Sequence, residues 1–197
     1  MTSYAVTPRT RVRRHSERGS YDRELVHGIL DEGMVAHVGA STAAGPRVIP
    51  MMYARDDDTL FLHGAPANHV LTRASSGAVV CVAVTLLDGL VLARSAFHHS
   101  MNYRSVVIYG EARPVTDDAE KLRALDLLVR RITPDRADTV RRPNLSELAA
   151  TRVLALPLAE VSAKVRTGGP LDDPSDAEWP VWAGVIPLTL VAGEPEP

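Results

Sequence analysis

A single cysteine in 197 residues removes several chemistries at once. Cys81 cannot close an internal disulfide or build a thiolate metal site alone. Its place in the apolar run Ala78 to Val84 is that of a small core residue. Aromatic residues make up only 5% of the chain, so each of the two tryptophans invites a specific reading. No apolar run approaches the roughly 18 residues that cross a bilayer, and the N-terminus lacks the apolar centre of a secretory signal. A cytoplasmic protein without a membrane partner is therefore expected. Charge of one sign is missing too: 22 Lys plus Arg stand against 24 Asp plus Glu, a formal charge of -2. No whole-protein field would gather nucleic acid or anionic lipid. A Gly-rich phosphate loop, a His-Glu-x-x-His pair, a nucleophile elbow and paired cysteines are all absent, and no metal site is expected.

What is there reads as one folding unit. A chain of this size hides roughly 70% of its unfolded surface in a single core. Arg9, Arg11, Arg13, Arg14 and Arg18 make the start basic, but Glu17, Asp22 and Glu24 follow at once. Residues 1–20 are expected to form a solvated, flexible arm, 21–192 the domain, and 193–197 a tail with nothing to pack.

Asp22 to Gly33 places Leu25, Val26, Ile29 and Leu30 on one helical face. Short strands follow at Met34 to Ala40, Arg47 to Ala54 and Thr59 to Leu62, separated by turn clusters. Asn68 to Ser75 suits a brief helix. Ala78 to Leu87 and Leu90 to Ala93 flank Asp88-Gly89, a dipeptide that signals a hairpin. Ser105 to Gly110 continues the strands. Asp117 and Glu120 then cap a helix carrying Leu122, Leu125, Leu128, Val129 and Ile132, and Asn144 with Glu147 caps a shorter one. Thr151 to Leu156, Glu160 to Val165 and Val185 to Val191 complete the strands, with a loop from Gly168 to Pro180. Many short strands, neighbours in sequence, with few helices argue a mainly β (α+β) antiparallel barrel rather than βαβ units. Thin helical cover makes dimerisation a plausible way to bury the remaining surface.

Candidate chemistry sits where polar residues punctuate apolar strands. His63 ends Leu60-Phe61-Leu62 and precedes Gly64-Ala65-Pro66, where backbone amides come free for a ligand; a histidine satisfied at a turn is the plainer reading. His98 and His99 are adjacent, so on a strand they face opposite sides and cannot share one ion, although one could serve as a single axial ligand to haem. Trp182 stands beside Ala183 and Gly184, which leaves room against an indole face for a planar cofactor, or for capping the barrel core.

The order Arg47-Val48-Ile49-Pro50-Met51, Thr59-Leu60-Phe61-Leu62-His63-Gly64-Ala65, Val79-Val80-Cys81-Val82, Tyr103-Arg104-Ser105-Val106-Val107-Ile108-Tyr109-Gly110 and Trp182-Ala183-Gly184-Val185-Ile186-Pro187-Leu188 resembles the pyridoxamine 5'-phosphate oxidase-like flavin-nucleotide-binding proteins. The resemblance runs from Tyr21 to Val191 and is nearest the branch containing nitroimidazole-resistance proteins. It implies a six-stranded split barrel, a homodimer with FMN at the subunit interface, and oxidoreductase chemistry on a small molecule with a nicotinamide donor docking transiently. By that likeness Val48 to Met51 run along the isoalloxazine ring, and Arg47 is a further cofactor-binding candidate that could hold the phosphate. His63, Gly64, Asn68 and His69 approach the ribityl phosphate, Tyr103, Arg104 and Ser105 complete the site, and Trp182 closes it. His63 is the residue expected to touch substrate or flavin. Where relatives often carry Lys or Arg for the phosphate, this chain reads Ala67-Asn68-His69-Val70, which puts His69 there and leaves haem or a deazaflavin as alternative cofactors. A flavin-nucleotide-binding module without turnover is the non-enzymatic alternative.

Overall fold

The computed structural model describes residues 2–196. Its strands are β1 (Gly19–Ser20), β2 (Val35–Thr42), β3 (Gly45–Asp56), β4 (Thr59–Gly64), β5 (Val79–Leu92), β6 (Ser100–Glu111), β7 (Arg113–Pro114), β8 (Arg152–Pro157), β9 (Glu160–Arg166) and β10 (Gly184–Pro187). Its helices are α1 (Arg23–Glu32), α2 (His69–Ala74), α3 (Asp118–Ile132) and α4 (Leu145–Ala149). The caps read from the sequence are in place: Asp22 accepts from Leu25 N at 2.9 Å, Asp117 from Glu120 N at 2.8 Å, and Asn144 with Glu147 forms a full capping box.

The strands pair antiparallel in the order β1-β9-β6-β5-β2-β3-β4-β8-β7, with β10 laid on β5. β3 pairs with β2 as far as Met52 and with β4 from Tyr53 onward, so one strand serves both halves of the barrel. The ends β1 and β7 do not meet, and the barrel stays open. This is the expected antiparallel split barrel with peripheral helices. The sheet holds 10 strands rather than six because short segments such as β1, β7 and β10 extend it.

Alternate residues fill the interior: Ala36 and Val38 of β2, Val80, Val82 and Val84 of β5, Val106 and Ile108 of β6, and Leu60 and Leu62 of β4 meet Val26, Ile29 and Leu30 of α1. Each large side chain so buried contributes roughly 1.5–3 kcal/mol. A second, smaller cluster of Phe61, Val115, Ala124, Val153 and Ala155 lies under α3. Among the described residues no helix is long and apolar enough to cross a membrane.

Four expectations are corrected. Asp88-Gly89 is not a turn: β5 runs through it, and Asp88 is the extra residue of a bulge, because Leu87 pairs with Tyr103 while Gly89 pairs with Asn102. A Cβ on Gly89 would come within 3.0 Å of Val185 and 3.1 Å of the Ile186 carbonyl, so this glycine permits the close approach of β10. The last strand ends at Pro187, short of Val191, and Leu190 and Val191 are exposed. Residues 2–20 pack against the barrel instead of standing free in solvent. Tyr4 and Thr10 are buried, Tyr4 N donates to Tyr21 O at 2.8 Å, Tyr4 Oη donates to Asp58 at 2.8 Å, and Lys164 donates to Arg14 O at 3.0 Å. One tyrosine with an apolar body and a bonded hydroxyl anchors a segment that shows no periodic apolar face. Cys81, finally, is half-buried on the outside of the sheet rather than inside the core.

Candidate functional site

Strand alternation builds the outer face. With Ala36, Val38 and Ala40 pointing in, Val35, His37 and Gly39 lie outside. Register then sets Met52, Pro50 and Val48 of β3 beside them. Cys81 and Ala83 of β5 flank the other side, and β6 adds Tyr109, Val107, Ser105 and Tyr103. The face is apolar and open: Val35, Val79 and Leu87 are exposed, and Val48 is 64% exposed. A contiguous apolar sheet face of this kind marks an interaction surface.

Of the residues the resemblance put at a flavin, Val48, Pro50, Tyr103 and Ser105 share this face. Ile49 and Met51 turn inward onto the core, while their backbone runs along the same row. Arg47, exposed near the start of β3, sits opposite Ala40 and falls on the inward side by alternation. Arg104 is separated from its neighbours because it lies between Tyr103 and Ser105 on a strand. It points to the other side, where its Nη2 donates to Asp88 and to Glu32, each at 2.7 Å, and its Nε donates to Asp88 at 3.0 Å. Both carboxylates hold its proton tightly, Glu32 most of all.

The start of α2 differs from the phosphate cradle expected there. Asn68 Oδ1 accepts from Val70 N at 3.0 Å and Leu71 N at 3.1 Å, so those helix-start amides are already occupied. A Cβ on Gly64 would come within 2.8 Å of Leu71, so that glycine lets the helix seat on the strand end. His69 is exposed as the first residue of α2. His98 lies 3.2 Å from Asp173, and His99 Nδ1 lies 2.9 Å from the Ser95 carbonyl; each ring has a partner. Trp182 is 63% exposed, and its indole rests against Gly184, where a Cβ would meet the ring at 2.5 Å.

His63 is placed differently. Tyr53 and Leu62 form a register pair directed into the core, so Met52, one residue before, and His63, one residue after, face the opposite side. Both line a cavity of about 1040 Å3 beneath α3 and the 133–143 segment. Nδ1 of His63 is enclosed and makes no hydrogen bond. Burial lowers the imidazole's proton affinity, and the Met52 backbone acts more weakly in the opposite sense. The cavity was not legible in the sequence. The apolar positions of α3 read as a core stripe, yet only Ala124 and Leu128 are buried, and Leu122, Leu125, Val129 and Ile132 line the empty volume. An apolar stripe wider than its core is the one signal the sequence offered. Among the described residues no group of three or more His, Cys, Asp or Glu side chains could hold a metal ion.

The barrel is that of the flavin-binding split-barrel proteins. Residues 22–165 match the pyridoxamine 5'-phosphate oxidase family, and the chain belongs to it. Flavocytochrome Anf3 from Azotobacter vinelandii is similar in structure with a TM-score of 0.92 at 40% identity, over 98% of this chain and 90% of its own. An FAD and haem binding protein from Mycobacterium smegmatis gives a TM-score of 0.87 at 36% identity, over 91% and 88% of the two chains. A 5-nitroimidazole antibiotic resistance protein from Bacteroides thetaiotaomicron shares the fold, with a TM-score of 0.64 at 24% identity over 75% and 86%. No curated protein sequence matches the chain.

Proposed function

We propose that this protein is a dimeric redox protein that binds a flavin nucleotide on the outer sheet face and a haem elsewhere in the same chain. The observation that carries the flavin is the open apolar face on which Val48, Pro50, Tyr103 and Ser105 come together. Its shape suits a flat ring, and its exposure suits cover by a second copy, which would bury Val35, Val48 and Leu87 and bring in Trp182 from the partner side. The haem reading is supported by the two neighbours of highest identity quoted above, a flavocytochrome and an FAD and haem binding protein, which match nearly the whole chain.

FAD is favoured over FMN. The similar FAD and haem binding protein supports this choice, and at the phosphate site expected for FMN the Asn68 side chain takes two of the helix-start amides. When bound, the flavin supplies hydride acceptance and single-electron release. The chain's part is to hold the ring flat against β3, to offer backbone groups of residues 48–51 to its polar edge, and to exclude water with Trp182. A nicotinamide donor docks transiently, since no dinucleotide fingerprint is present. A small acceptor takes the electrons.

The visible spectrum of protein purified from cells supplied with haem precursor tests this. Flavin bands together with a Soret band are expected, and chromatography of the released flavin should return FAD. Flavin bands alone would reduce the reading to a flavin oxidoreductase; neither chromophore, even after reconstitution, would sink it. Release of FMN or a deazaflavin would correct the choice of nucleotide.

A further inference from the structure

We propose that the cavity beneath α3 is the haem seat, with His63 the axial ligand. This rests on the haem half of the reading above and assigns its place. Three independent features of the cavity converge on that ligand.

The first is the histidine. His63 lines the cavity, neither of its ring nitrogens makes a hydrogen bond to a described residue, and Nδ1 is enclosed beside the Met52 backbone. A buried polar atom left without a partner in a native fold calls for an explanation. Haem-ligating histidine commits one ring nitrogen to iron, and no described protein group competes for either nitrogen of His63. Burial disfavours its charged form, and a ligating nitrogen must be unprotonated.

The second feature is the wall. Leu122, Leu125, Val129, Ile132 and Val140 present a broad apolar surface, and the volume of about 1040 Å3 is at the top of the range for small-molecule sites. A flat, largely apolar macrocycle is the ligand such a wall accepts. The third is the rim. Arg123, Arg130, Arg141 and Arg142 line it against Asp126, Asp138 and Glu147. Arg123 pairs with Asp56, Arg130 with Asp126 and Asp138, and Arg141 with Glu147. Arg142 makes no such pair among the described residues, and a carboxylate-bearing edge would meet it.

The geometry also excludes Met52 as a second protein ligand. Met52 and His63 project to the same side from adjacent strands, so they stand side by side and cannot take opposite faces of one ring. With Met52 excluded, the face opposite His63 is the one expected to take a small ligand. The row from Val48 to Met52 spans four residues, about 13 Å along an extended strand, so flavin and haem would be near neighbours.

Hemin titration of the full-length protein, wild type and variants, followed in the Soret region, tests the assignment. Wild type should take up one haem per chain, show a high-spin five-coordinate spectrum, and bind carbon monoxide when reduced. His63→Gly should lose affinity at least about tenfold, since loss of even an outer-shell partner of a metal ligand costs that much. It should keep its circular dichroism and flavin content, and added imidazole should restore the Soret band. Val129→Trp, which fills the cavity, should abolish uptake, and Arg142→Glu should weaken it. Control variants His69→Ala and His98→Ala should bind as wild type. Unchanged uptake by folded His63→Gly, or by Val129→Trp, would overturn the seat while leaving the haem reading intact. A six-coordinate wild type that refuses carbon monoxide would overturn the single-ligand geometry. Wild type that binds flavin but no hemin would overturn both.

Discussion

The phenol of Tyr53 donates a 2.6 Å hydrogen bond to the Leu30 carbonyl, joining the strand shared by both halves of the barrel to the last turn of α1. Tyr53 has no exposed surface, and burial pushes its pKa from 10.0 up to about 12. The folded state therefore resists losing this proton, while the unfolded chain releases it near 10. The corresponding stability is fully present below pH 10 and is lost as pH rises toward about 12. Two pKa units correspond to roughly 2 to 3 kcal/mol. Denaturant midpoints measured across this window should fall more steeply for wild type than for Tyr53→Phe. Parallel slopes would mean that this phenol is not the group titrating.

Tyr4 predicts the behaviour of the N-terminal segment. Its ring is buried and its hydroxyl reaches Asp58, with His27 Nε2 2.9 Å from the same oxygen. Tyr4→Ala should cost about 2 to 3 kcal/mol from lost burial and bonding, or roughly 5–10 °C in a chain of this size. Cofactor content should be unchanged, because Tyr4 itself packs in the core cluster and not on the outer sheet face. A calorimetric scan with no shift would show that the segment is as dispensable as its composition implied.

Arg104 is held as a structural residue between Glu32 and Asp88. Arg104→Gln should lower stability by about 1 kcal/mol, since pairs this accessible to solvent are weak even when bidentate. Flavin affinity should stay within about twofold, a difference of under half a kcal/mol. A fluorescence titration showing a tenfold loss of flavin would return Arg104 to the binding site.

The same residue shows where the sequence was readable. Helix caps are local: Asp22, Asp117 and Asn144 each need only a backbone N–H two or three residues on, so spacing identified them. Period-two alternation placed most strands and their inward residues. Asp88-Gly89 defeated the same approach because its cause is remote. Asp88 is there for Arg104, sixteen residues away, and Gly89 for the approach of β10 from the far end of the chain. The cluster Tyr103-Arg104-Ser105 failed for a related reason: proximity in sequence on a strand is opposition in space. The cavity at His63 has only the overwide apolar stripe of α3 as its trace in the sequence, because lining an unfilled volume and filling a core take the same residue types.

The outer sheet face should hold the dimer together. Leu87→Asp or Val48→Asp places a carboxylate in an interface it would have to leave water to enter, a cost of several kcal/mol for an unpaired charge. Light scattering at micromolar concentration should return a monomer for either variant and a dimer for wild type, with flavin lost alongside the partner. A variant that stays dimeric would move the interface elsewhere.

Trp182 and Gly184 give the most direct test of how the flavin is covered. The indole lies so close to Gly184 that a Cβ there would stand 2.5 Å from one ring atom and 3.1 Å from two more. Gly184→Ala must therefore push the ring aside, while the strand register of β10 against Leu92 can persist, because the glycine does not use a conformation closed to alanine. If the ring covers the flavin of the partner protomer, displacing it removes a stacking contact worth about 0.5–1.5 kcal/mol, which raises the flavin Kd about threefold to tenfold. Trp182→Ala should do the same or more. In a Trp179→Phe background the single remaining indole reports directly: flavin should quench its fluorescence in the parent, and less so with Gly184→Ala. If quenching and affinity are both untouched while the variant folds normally, Trp182 stands clear of the flavin, and the ring must be covered by the apolar residues of β5 and β6 alone.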